Sequence, residues 1–405
     1  MPTEPVEVPA PSRQFLAGDA LRALAALSVV VYHFAYGAAR QSGHSGFVDA
    51  YGAKAGRAFG GLELGLYIFF VLSGYLIAGP WVRAYVDGTP MPSARRYARN
   101  RVLRLVPAFW VVFTVLLLVD GRYGAGFGDL AAIYLFAQNY APRSVVQGLI
   151  GPAWTLSVEL AFYALVPIVA LLVIKLRAVR GSAVGRARTV LLGAALVWLA
   201  SIAVKVTAPA DLAWQRAAPM MLFAFMPGVA LAAVEAGRAS SRRTRGSRVS
   251  PHQQALLLLA AGTALLVLYA ATAHAGIPPL TGVAPPVLAS LGCLGVVAAP
   301  MVLQWNGVRT PAPLRWPPVL WLGERSYGIY LLHQGVLATI IRWSGLSHSA
   351  WPRLLTTLAI GVPATLVAAA VLFALVERPF MRRRLPWRRP TGDEHVTSHP
   401  TLPSG

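Results

Sequence analysis

The sequence predicts an all-α, polytopic membrane protein of about ten transmembrane helices with both termini cytoplasmic. Three observations lead there. Of 405 residues, 56% are hydrophobic and only 13% are charged, and the mean hydropathy is +0.57, values of a multi-spanning chain and not of a soluble domain. Apolar runs approaching the ~20 residues that cross a bilayer as a helix fall at about 16–38, 62–82, 103–119, 153–174, 189–207, 218–236, 254–274, 285–304, 324–343 and 355–376. The basic residues gather in alternate connections between those runs.

The loop charges orient the chain. Arg83, Arg95, Arg96 and Arg99 lie between the second and third runs, and Arg177, Arg180, Arg186 and Arg188 between the fourth and fifth. Arg242, Arg243, Arg245 and Arg248 follow the sixth, Arg309 and Arg315 the eighth, and Arg382, Arg383 and Arg384 the tenth. With ten spans all of these face one side, which the positive-inside rule makes the cytoplasm. The net charge of +21 is therefore topological, and no nucleic-acid partner is expected. The short segment 128–140, ending in Gln138 and Asn139, reads as re-entrant or interfacial, because a full span there would carry the later basic loops outside.

Residues 1–15, with Glu4, Glu7 and several prolines, read as a disordered cytoplasmic segment without a cleavable signal. Residues 16–380 form the expected membrane domain, and 381–405 a basic, then polar, disordered tail. The single cysteine, Cys293, excludes a disulfide framework and a thiolate metal cluster, and no metal or bound cofactor is expected. No loop exceeds about 35 residues, so the chemistry is placed in the membrane domain or at its faces.

In the first span, Arg22 and His33 interrupt an apolar run. Ionisable groups in hydrocarbon are costly and mark function by default. Their spacing leaves them about 20° apart in azimuth and roughly 16 Å apart along the axis, on one face. The second span carries Ser73-Gly74 at mid-membrane, where Gly74 fits close helix packing and Ser73 a cavity wall. Arg101 and Arg104 lie at the cytoplasmic mouth of the third, suited to bidentate phosphate contacts or to plain snorkelling. Glu159 is the one acidic residue well inside a span, in a helix beginning at Trp154. Counting from the outer side places Glu159 and His33 at nearly equal depth. They are plausible partners, either as a base and its orienting carboxylate or as an interhelical contact gluing two helices. Tyr327, Tyr330 and His333 recur at helical spacing in the ninth span and form one polar stripe, either a cavity wall or a satisfied interhelical contact.

Taken together, these segments resemble the acyltransferase-3 family of integral-membrane O-acyltransferases. The resemblance rests on Arg22-x10-His33, on Phe69–Ile77 (FFVLSGYLI), and on Arg101-x-x-Arg104 followed by Pro107. It rests also on Trp154-Thr-Leu-Ser-Val-Glu159, on Gly323 to His333, and on Glu377-Arg378-Pro379. Tyr67 stands where many relatives carry an acidic or small polar residue, and Thr155 replaces a serine. The resemblance implies a multi-pass enzyme of the bacterial cell membrane that moves an acyl group from cytoplasmic acyl-CoA, a co-substrate, to a hydroxyl. Acceptors of such enzymes are sugars of surface polymers or macrolide antibiotics. It implies His33 and Glu159 as catalytic residues and Arg22, Arg101 and Arg104 as donor-binding. Ser73, Trp154, Tyr327, Tyr330 and His333 are then the expected cavity wall, with Ser73 or Tyr330 as oxyanion donor. Intramembrane charge also marks transport paths, so a transporter or flippase for a sugar or lipid-linked substrate is the alternative class.

Overall fold

The computed structural model describes residues 16–120, 126–140, 151–175, 181–209, 212–241, 249–272, 282–343 and 346–384. The expected N-terminal segment 1–15 and the tail from 385 onward lie outside them. Among the described residues the chain is helical throughout, without a strand. The long helices are α1 (Leu16–Gln41), α2 (Leu64–Asp87), α3 (Ala94–Asp120), α4 (Trp154–Lys175) and α5 (Ala183–Thr207). They continue as α6 (Met226–Ser241), α7 (Pro251–Thr272), α8 (Ala284–Trp305), α9 (Ser326–Trp343) and α10 (Ala350–Leu372).

Each expected span coincides with one of these helices, though they are not equivalent. Among the described residues, 8 helices are long and apolar enough to cross a bilayer alone. A ninth span arises when α6 is joined to the turn before it, Ala218–Ala224, which meets it at 45°. Pro227 has no N–H to give to the preceding turn, which accounts for the break. Helix α9 is not in that apolar set, because Tyr327, Tyr330, His333 and Gln334 dilute it. The segment around 128–140 does not span. It is a short helix, Phe127–Tyr134, a turn at Phe136, and a 3-10 turn at Gln138–Tyr140.

Burial separates centre from periphery. Of the apolar stretch of α8, 72% is buried, against 17% for α5 and for α7. Leu192, Leu196 and Leu199 on α5, and Leu256, Leu257 and Val267 on α7, are exposed. Such contiguous apolar surface is what a helix presents to lipid tails. Helix α1 packs against α2, α9 and α10 through small residues, Ala17, Ala20, Ala25, Ala26 and Ala35 among them. Small side chains let helix backbones approach closely where no hydrophobic force drives association. One such close approach joins α2 to α6. A Cβ added at Gly74 would collide with the Phe225 carbonyl oxygen, and one at Gly228 with that of Val71.

Two basic segments share one face of the bundle. The first turns of α3 lie beside the basic segment that follows α10, where the guanidinium of Arg99 donates to the carbonyl of Arg383 at 3.4 Å.

Candidate active site

Two cavities lie side by side along α1. The first, about 90 Å³, is lined by Arg22 from α1, Ser73 from α2, Arg101 and Arg104 from α3, Glu159 from α4 and Tyr327 from α9. The second, about 550 Å³, is lined by His33, Tyr32 and Tyr36 from α1, Trp154 from the start of α4, Arg216, Glu63 and Gln334. Leu66 and Tyr330 face both. The Arg22–His33 spacing thus sends two polar groups on one helix face into two adjoining chambers.

The smaller chamber is strongly basic. Arg22 donates to Asp19 one turn before it, at 2.8 Å. The guanidinium of Arg101 lies 5.7 Å from the ring of Tyr97 and 5.5 Å from that of Tyr163, within cation–π range. Glu159 is the carboxylate on this lining. Its Oε1 accepts from Ser73 Oγ at 2.8 Å and from Tyr163 Oη, one turn along α4, at 2.6 Å. Arg384, in the basic segment after α10, lies near Arg104 and Arg101 without lining this chamber. Burial, and then the charges of Arg104 and Arg101, push its pKa down to about 10, and its buried Nε and Nη2 meet no acceptor among the described residues. Like charges crowded this way favour an anionic ligand. The hydroxyl of Tyr327 is committed to the Leu105 carbonyl at 2.8 Å, tying α9 to α3 beside Arg104.

In the larger chamber, His33 Nδ1 lies 2.9 Å from the carbonyl oxygen of Val29 and 3.2 Å from Nε2 of His333. His333 is completely buried, and its Nδ1 lies 2.6 Å from the Tyr330 carbonyl. Tyr32 meets the His33 ring edge-on at 5.0 Å. Across the cavity the guanidinium of Arg216 sits 5.0 Å from the Trp154 ring. The polar end of the short segment 127–140 holds this wall in place. Asn139 donates to the carbonyls of Trp154 and Arg216, both at 2.8 Å, and Gln138 to that of Ala153 at 2.9 Å.

Three sequence expectations change. His33 and Glu159 are not joined by a hydrogen bond and face different chambers; equal depth along two helices says nothing about azimuth, and Glu159 turns toward Ser73 and Tyr163. The partner of His33 is His333. Ser73 and Tyr330 have no hydroxyl proton to spare for an oxyanion: Ser73 donates to Glu159, and Tyr330 donates to the Pro152 carbonyl at 2.6 Å while paired with Thr155 at 2.8 Å. His333, expected on the cavity wall, lines neither chamber and is wholly buried beside His33; Tyr67 packs on Phe223, ring centres 6.0 Å apart. The aromatic and polar wall of Tyr32, Tyr36, Glu63, Arg216 and Gln334 was not expected. Only the adjacency of Tyr32 to His33 and of Gln334 to His333 pointed toward it.

These features define a multi-pass membrane protein, helical throughout its described residues, with a two-chamber site, basic at one end and lined by histidine at the other. The chain belongs to the acyltransferase-3 family, described as an acyltransferase domain, whose domain model matches residues 16–373. It is 25% identical over 388 residues to the peptidoglycan O-acetyltransferase OatA of Listeria monocytogenes, covering 90% of this chain and 55% of that protein. It is 27% identical over 351 residues to the acyltransferase MdmB of Streptomyces mycarofaciens, covering 79% of this chain and 81% of that one. The chain thus spans about half the length of the first of these relatives. No solved structure matches it.

Proposed function

We propose that the chain is a membrane O-acyltransferase of the bacterial cell membrane that moves a short acyl group from acyl-CoA to an acceptor hydroxyl. The observation that carries this reading is the pair of adjoining chambers, with cations in one and His33 in the other. The basic chamber suits a phosphorylated thioester. Its ~90 Å³ is about three times the share of one liquid water, so it admits the tip of a pantetheine arm while the nucleotide stays at the mouth. There Arg101 and Arg104 meet phosphates, and Arg22 lies further along the path. The positive-inside rule makes this mouth cytoplasmic, with both termini on the same side.

The larger chamber suits the acceptor. Its ~550 Å³ falls in the ~300–1,000 Å³ range of small-molecule sites. Aromatic faces at Trp154, Tyr32 and Tyr36, set among Arg216, Glu63 and Gln334, match the mixed apolar and hydroxylated surface of a sugar ring. A glycosylated macrolide presents the same chemistry. The name of the Listeria relative supports a carbohydrate acceptor.

In the transfer, His33 takes the proton of the acceptor hydroxyl as general base. The oxygen attacks the thioester carbonyl and forms the ester. The C–S bond breaks, and the CoA thiolate recovers a proton from the imidazolium. Glu159 keeps the donor chamber from being uncompensated, in place of the orienting role first expected of it.

The test is purified protein in lipid nanodiscs with acetyl-CoA and, in parallel, a muramic-acid-containing glycan and a macrolide. Thiol release that depends on one acceptor, with mass gain on that acceptor, supports the reading. Acceptor movement across a vesicle bilayer with no thiol release would replace it with the transporter reading.

A further inference from the structure

We infer that His333 is the positioning residue of His33: together with the Val29 carbonyl it fixes the tautomer that leaves Nε2 of His33 free to take a proton, and it receives a hydrogen bond from the imidazolium that results. The inference rests on His33 being the base of the proposed transfer. It follows from counting protons. A carbonyl oxygen only accepts, so the 2.6 Å contact between His333 Nδ1 and the Tyr330 carbonyl places the single proton of a neutral ring on Nδ1. His333 Nε2 is then a lone pair. It faces His33 Nδ1 at 3.2 Å, and that same Nδ1 faces the Val29 carbonyl at 2.9 Å. Both neighbours of His33 Nδ1 are therefore acceptors, and Nδ1 carries a proton shared between them. One nitrogen remains. Nε2 of His33 holds the lone pair, in a ring that lines the acceptor chamber.

The arrangement repeats the logic of a base oriented through its far nitrogen, with an imidazole in place of a carboxylate. His333 suits it because it is wholly buried on α9 and anchored within its own helix turn. When His33 becomes imidazolium, its Nδ1–H bond to His333 becomes charge-assisted and stronger. The other titratable or charged groups facing the pair are Tyr32 on α1, Tyr330 on α9, and Arg216 and Glu63 across the chamber. Of these, Arg216 opposes the imidazolium, which makes an acceptor at Nδ1 matter more. The proton balance is closed: the one leaving the acceptor hydroxyl resides on His33 Nε2 and returns to the thiolate.

The experiment compares H333Q, H333N and H333F in nanodiscs, with melting temperature, kcat, both KM values and the pH profile of kcat. In H333Q the side-chain oxygen can stand where Nε2 was and accept from His33. Its kcat is expected within about threefold of wild type. H333N and H333F cannot reach or cannot accept, and their kcat is expected to fall at least ~10-fold. Both KM values should stay within twofold, and the acid limb of the profile should move to lower pH. Wild-type kcat in a stably folded H333F overturns the inference. If H333F does not fold, equal kcat in H333Q and H333N overturns it. Loss of the His33 requirement, or no transfer by wild type, defeats the proposed function instead, so the two failures are distinct.

Discussion

Arg22 and His33 project from one face of α1 into two different chambers, which share Leu66 and Tyr330 as common wall. An eleven-residue spacing on a helix converts to roughly 16 Å along its axis. A single helix therefore sets the distance between a cation site on one side and a base on the other. The first consequence concerns the donor. Replacing Arg101 or Arg104 with Ala should raise the KM for acyl-CoA about 10-fold or more and leave the acceptor KM within twofold. Arg→Lys at these positions should recover only part of the loss, because an ammonium lacks the planar fork. Initial-rate measurements varying each substrate separately check this.

The acceptor wall should respond in the opposite way. Trp154 carries the Arg216 guanidinium 5.0 Å from its ring, an interaction of about 0.5–2 kcal/mol. Trp154→Ala is expected to raise the acceptor KM by about 10-fold and Trp154→Phe by less, with little change for acyl-CoA. Arg216→Ala should act on the same substrate. The same two-substrate kinetics separate these variants from the arginine variants of α3.

Glu159 gives a sharper contrast. As an orienter of His33 it would affect kcat and its pH dependence. In the geometry found, its carboxylate anchors Tyr163 at 2.6 Å, and Tyr163 is a platform for Arg101 at 5.5 Å. Glu159→Gln and Tyr163→Phe should therefore raise the KM for acyl-CoA. Hydrogen bonds to a charged group are worth ~1.5–3 kcal/mol, so roughly a 10- to 100-fold change is expected. The pH profile of kcat should be unmoved.

Much of this was legible in the residues, and the losses have physical causes. Apolar length located every long helix, and the ionisable residues inside α1 and α4 marked the polar interior. Sequence depth was also enough to separate Arg22 from His33. It was not enough to pair His33, since depth fixes height along a span and leaves rotation open. Rotation is set by packing: α9 turns His333 to α1, while α4 turns Glu159 to Ser73. Helix α9 was recognised by its polar stripe, and the same stripe makes it too polar for the apolar set. From Gln138 and Asn139, the segment 128–140 was read as too short to span. Their work as fasteners for Trp154 and Arg216 depends on tertiary contacts that no local pattern carries.

Stability should be most sensitive where backbones touch. A Cβ at Gly228 meets the Val71 carbonyl and backbone at Tyr75, atoms that cannot swing aside. Overpacking a tight core costs ~1–3 kcal/mol or more, so Gly228→Ala should lower the melting temperature in detergent by several degrees, and Gly74→Ala likewise. Gly193→Ala, with open space around it, should not. Melting curves of the three purified variants test this.

The most direct test of the central claim is the turnover of His33→Ala in nanodiscs at saturating acyl-CoA and acceptor. General-base catalysis contributes about 10²–10⁴-fold. A loss of kcat of that size is expected, with the KM for acyl-CoA within twofold of wild type, because the cation-lined chamber is untouched. Wild-type turnover by His33→Ala would contradict that claim.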